Sequence, residues 1–131
     1  MGISSQYLPK KLGEQPFDVR HLKSQKDALD AGVNMAMGTD CGHVFPPGKN
    51  SWELELYVRK LGMTPSEALL MATRNAAQAI GKLDRMGTLE KGKYADIIIV
   101  NGDPLKNIRV LQNLQNIVIV MKEGIVEVDR R

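Results

Sequence analysis

Cysteine is nearly absent from these 131 residues: Cys41 stands alone, which excludes an internal disulfide and fits a reducing cytoplasm. Histidine is almost as rare, with only His21 and His43. No apolar run approaches the roughly 18 residues that a membrane span requires. The opening MGISSQYLPKK has no apolar core of the signal-peptide kind. Strong charge of one sign is also missing, since the formal net charge is +3. The densest basic spots, Lys10-Lys11 and Arg130-Arg131, lie near the termini and read as solvated ends, so nothing argues for nucleic acid. What remains is a soluble globular composition, 43% hydrophobic and 25% charged, long enough for one ordinary domain.

Residues 1–18 are rich in Gly, Pro, Ser and Lys without periodicity and read as a loop or disordered tail. A modestly amphipathic helix is predicted from Val19 to Ala31, with Gly32 as its C′ residue. Val33 to Met37 reads as a short parallel-type strand running into Gly38-Thr39-Asp40 and a Gly/Pro-rich loop. A second helix carries Trp52, Leu54, Leu56, Tyr57, Val58 and Leu61, with Trp52 expected in the core and Asn50 as a candidate N-cap. Thr64-Pro65-Ser66-Glu67 is a capping box with proline at the first helical position, and the alanine-rich helix it opens runs to Gly81. Beyond it the texture turns β-rich. Gly87-Thr88-Leu89 and Ala95 to Val100 read as strands, the second as buried on both faces. Asn116 to Met121 and Ile125 to Val128 read as a hairpin about Glu123-Gly124.

The sharpest local feature is Gly38-Thr39-Asp40 at the end of a predicted strand. In parallel α/β barrels, catalytic groups sit at strand C-termini. A carboxylate there can bind a cation or take a proton from bound water. Alone, the tripeptide also suits a helix cap or a turn.

Several longer motifs fall in a consistent order. Ala31 to Asp40 resembles the eighth barrel strand of the amidohydrolase superfamily. Glu53 to Val58 and Leu61 to Leu69 resemble the helices after it, and Ala72-Thr73-Arg74-Asn75-Ala76-Ala77 is similar to that family's Ala-Thr-x-Asn-Ala-Ala pattern. Gly87 to Asp96, Asn101 to Leu105 and Val120 to Val126 resemble the strands of the small β-sandwich beside the barrel.

The resemblance implies an α/β fold, the last β/α portion of a TIM-type (β/α)₈ barrel over residues 19–82. Residues 83–131 would then be C-terminal strands of a β-sandwich. A whole barrel needs roughly 250 residues, so the chain is expected to be a fragment or relic of one. The implied activity is hydrolysis of a C–N bond in a small amide, cyclic amide or dipeptide. The nearest members are imidazolonepropionase-like and Xaa-Pro or Xaa-Arg dipeptidase-like. By the same resemblance, Asp40 binds zinc or another divalent ion, acts as general base towards the bound water and later protonates the leaving group.

Departures from the pattern matter equally. The first-strand His-x-His pair, the bridging lysine and two further metal histidines have no counterparts here. His43 follows Asp40 by three residues and is a candidate second ligand, or a solvent-facing loop histidine. Cys41 could complete a three-ligand set, but its spacing matches no zinc signature, and it serves equally as a small buried residue. His21 lies on a helix well before the strand. Arg74 and Asn75 are expected to pack or cap, and Asp96 to be structural. The chain alone is therefore expected to lack turnover. Its unpaired barrel and sandwich edges call for self-association or the remainder of a larger polypeptide.

Overall fold

A computed structural model of the chain describes residues 16–39 and 47–131, with side chains from Arg20 onward. Helix α1 spans Pro16–Asp30, so it starts inside the segment read as a tail. Its end is the one the sequence predicts. Gly32 is left-handed at φ +74°, its N–H bonds the Leu29 carbonyl at 2.9 Å, and the Val33 N–H bonds that of Ala28 at 3.0 Å. This closes the last turn in a Schellman arrangement that only a residue without Cβ adopts without strain.

Helix α2 spans Trp52–Leu61 and buries Leu54, Tyr57 and Leu61, a stripe at helical spacing. Its N-cap is Ser51, not Asn50, and no side chain caps it. Trp52 is not a core residue. It is half-buried, with the Lys49 ammonium 5.5 Å from its ring centroid. Helix α3, Pro65–Leu70, opens on the predicted capping box. The Glu67 N–H donates to Thr64 Oγ1 at 3.2 Å, and the Thr64 N–H donates to the Glu67 carboxylate at 2.7 Å.

The helix widens into a π turn at Met71–Asn75 before continuing as α4, Ala76–Ala79. Thr73 donates its hydroxyl to the Leu69 carbonyl at 2.7 Å, one of the side-chain bonds that disturb a helical ladder. The Met71 carbonyl in the same stretch accepts a bond from outside the helix.

Three antiparallel strands follow in the order β1 (Ile97–Val100), β2 (Ile117–Lys122) and β3 (Ile125–Asp129). Two 3₁₀ turns, Ile108–Gln112 and Leu114–Asn116, link β1 to β2. The β2–β3 hairpin turns at Glu123-Gly124, where the Asp96 carboxylate accepts from the Glu123 N–H at 2.8 Å. The expected structural part of Asp96 is thus to tie the hairpin to the residue before β1.

One core joins the helical and β-rich parts. Leu54, Tyr57, Leu61, Ala68 and Met71 pack with Ile108 and Leu111 from the first 3₁₀ turn. A polar link runs alongside, from Gln112 Nε2 to the Glu55 carboxylate at 2.6 Å.

Three expectations fail here for one physical reason. Val33 to Met37 is not a strand, because no strand pairs with it among the described residues. Gly87-Thr88-Leu89 forms no strand either; Gly87 is pressed against the helix at Thr73 and Ala77. And β1 is not buried on both faces: Ile98 is 50% exposed and Ile99 48%. A strand needs lateral partners for its N–H and C=O groups, and two-faced burial needs a second layer.

Candidate functional site

Residues 33–39 immediately precede Asp40 in the sequence. Among the described residues no strand flanks them, and their backbone is held from the helices. The Met37 N–H donates to the Met71 carbonyl at 3.2 Å, and Asn75 Nδ2 donates to the Met35 carbonyl at 3.0 Å. Asn34 Nδ2 reaches Gln78 Oε1 at 3.0 Å. The π turn therefore has a consequence for the site: Met71 and Asn75, at its two ends, both bond the segment that carries Gly38 and Thr39. Asn75, expected to pack or cap, thus bonds the backbone of another segment.

On α2, the Tyr57 side chain lies near the Glu53 carboxyl one turn earlier and near the Gly38 backbone. Tyr57 is 4% exposed. Burial pushes its phenol well above the usual range, and the Glu53 charge and hydrogen bond push it further, so it stays a neutral donor. Burial likewise raises the Glu53 carboxyl, opposed by the Tyr57 hydrogen bond and by the charge of His21. His21, on α1, is thus brought towards Glu53, and its ring also meets Gln25 Nε2 at 3.0 Å. Sequence reasoning passed over this chain of groups. Its signal was the i, i+4 spacing of Glu53 and Tyr57 on a helix otherwise read as core.

Asp40, Cys41 and His43, the residues singled out for catalysis and metal binding, lie outside the described residues. Among the described residues no group of three or more His, Cys, Asp or Glu side chains could hold a metal ion. No described helix is long and apolar enough to cross a membrane.

Comparison with known proteins gives the wider setting. Ochratoxinase from Aspergillus niger is 39% identical over 105 residues, which are 79% of this chain and 21% of that protein. Its crystal structure superposes with a TM-score of 0.78 at 35% identity, over 86% of this chain and 25% of that one. Imidazolonepropionase from Geobacillus kaustophilus is 38% identical over 102 residues, 77% of this chain and 24% of the relative. A crystal structure of a Xaa-Pro dipeptidase with methionine bound in its active site gives a TM-score of 0.74 at 34% identity, over 83% of this chain and 26% of that chain. The chain thus spans about a quarter of the length of the relatives it matches. Their likeness implies a piece of a TIM-barrel-type fold with some strands. The model of the amidohydrolase family matches residues 18–126, from α1 into β3, and the chain belongs to that family.

Proposed function

We propose that this chain is the C-terminal part of a metal-dependent amidohydrolase that hydrolyses a C–N bond in a small amide, cyclic amide or dipeptide. Asp40 is its metal ligand and general base. The observation that supports the reading is the anchoring of residues 34–37 to Met71, Asn75 and Gln78, shortly before an aspartate in sequence, within a stretch matched by the family. Catalysis depends on how closely a carboxylate is held to its working position. In this reading residues 19–82 are the end of the barrel and residues 83–131 the sandwich strands.

Zinc or another divalent ion would lower the pKa of a bound water and polarise the scissile carbonyl. Asp40 would hold it, with His43 as a second candidate. Asp40 takes a proton from the attacking water and returns it to the departing nitrogen. The 131 residues alone supply too few ligands for turnover. We place the protein in the cytoplasm, in keeping with its single cysteine.

A second reading is a non-catalytic relic or small interaction domain that self-associates. It is favoured by the apolar surface along a groove of about 750 Å³ between α4 and β1, where Ile80 is 66% exposed, Leu89 77% and Ile98 50%. Zinc titration of the 131-residue chain against a chromophoric chelator tests the first reading. Weak or no binding is expected, and a stoichiometric submicromolar site would refute the incomplete centre. Sedimentation velocity tests the second: concentration-dependent association is expected, and a compact monomer at high concentration would count against it.

A further inference from the structure

The polar contacts that run from the 108–112 turn to α2 converge on one carboxylate. We propose that Glu55 is an acid-released latch: ionised, it holds the 108–112 turn on α2, and protonated, it lets that turn lift from the shared core while the sheet stays formed. The proposal is independent of the role given to Asp40.

In a 3₁₀ helix, side chains three residues apart lie in line. Ile108 and Leu111 form one such row and are buried, packed in the core with Leu54, Tyr57 and Leu61. Arg109 and Gln112 form the next row, and both reach Glu55. Gln112 Nε2 donates to Glu55 Oε2 at 2.6 Å, and Arg109 Nε lies 3.5 Å from the same oxygen. The other oxygen accepts from Arg59 Nη1, one turn farther along α2, at 3.0 Å. The Glu55 side chain is only 16% exposed, so water screens these contacts less than it screens a surface pair. The apolar row seats the turn, and the polar row locks it.

The charges facing Glu55 are Arg59 from its own helix and Arg109 from the turn. Helices α1 and α3 also pack on α2, but among the described residues they place no charge against Glu55. The Gln112 bond is the main cause that holds the Glu55 carboxyl below its ordinary value of 4.5. The latch is therefore closed above that pH and opens as pH falls through the folded value. On protonation the Gln112 bond loses its charge assistance. Arg59 and Arg109 are then two like charges about a neutral group. The ladders of the sheet are backbone bonds and do not pass through Glu55.

Amide exchange by NMR, expressed as protection over the free-peptide rate, reads the latch at two sites. One is Val110, whose N–H donates to the Asn107 carbonyl within the turn at 3.1 Å; the other is Ile119 in the central strand. Between pH 7 and pH 3, Val110 in the unaltered chain should lose about tenfold more protection than Ile119. Glu55→Gln keeps the shape and removes the charge. It should show the lowered Val110 protection already at pH 7, with no further loss relative to Ile119 on acidification. Gln112→Ala should also lower Val110 protection at pH 7, and by less when added to Glu55→Gln than when made alone. Equal losses at Val110 and Ile119 in the unaltered chain overturn the latch, whether or not either variant folds. A folded Glu55→Gln variant that keeps the acid-dependent loss at Val110 overturns it too.

Discussion

Gly87→Ala places a methyl group where the fold has no room for one. A Cβ built at Gly87 would lie 2.5 Å from Ala77 Cβ, 3.0 Å from the Thr73 carbonyl oxygen and 3.2 Å from Arg74 Cα. Two of these three atoms are helix backbone and cannot rotate aside. Gly87 also sits at φ +91°, where an L side chain is strained. Gly92 separates the two effects, because its φ is +94° and a Cβ there would meet nothing within 4 Å. Gly92→Ala should cost only the backbone strain, about 1–3 kcal/mol. Gly87→Ala should cost that plus about 1–3 kcal/mol of overpacking. Urea unfolding followed by circular dichroism reads the difference as a shift in midpoint at constant slope. Adding Ala77→Gly to Gly87→Ala should recover part of the loss and no more, since the backbone contacts remain. Equal midpoints for Gly87→Ala and Gly92→Ala would refute the close packing of this turn against the helix.

Removing the capping box by Thr64→Ala should destabilise the chain by about 1 kcal/mol, read from the same urea midpoints. Leu61→Ala, at a position 3% exposed, should cost about 2–5 kcal/mol; a loss under that range would mean the core closes over the gap. Two carboxylates on α2 should respond to pH with opposite sign. The hydrogen bond from Gln112 holds Glu55 below its ordinary value of 4.5, so its stabilisation is present above that pH and lost as pH falls through the folded value. Burial holds Glu53 above 4.5, so its contribution is present at low pH and lost as pH rises through the folded value. Glu55→Gln should therefore lower the urea midpoint at pH 7 and have little effect at pH 3. At pH 7, Glu53→Gln should raise the midpoint or leave it unchanged, and a fall there would contradict the sign assigned to its burial.

Features written in a few adjacent residues were the legible ones. The capping box at Thr64, the left-handed stop at Gly32 and the hairpin at Glu123-Gly124 each depend on local backbone geometry, and each stands where the sequence places it. The strand read at Val33 to Met37 failed because strand character needs partners, and its bonding groups go to Met71 and Asn75 instead. The two-faced burial read for Ile97 to Val100 failed likewise, since an apolar run cannot reveal whether a covering layer is present. At the site, Asn75 was expected to pack or cap, and its amide donates to the Met35 carbonyl of another segment. The nearness of Tyr57 to Glu53 and to the Gly38 backbone was not legible, because a tyrosine at a core spacing gives no sign of what its hydroxyl meets. The π turn was equally hidden, since it arises where a helix meets the segment beside it.

The central claim is that Asp40 is the working carboxylate of an amide-cleaving site. Hydrolysis of an Xaa-Pro dipeptide and an N-acyl amino acid by the polypeptide as its source makes it, with and without Asp40→Asn, tests it most directly. Circular dichroism would verify that the variant remains folded. A fall in kcat of about a hundredfold or more, with the folded state unchanged, is the predicted result for loss of a general base. Undiminished turnover by the folded Asp40→Asn variant would contradict the account.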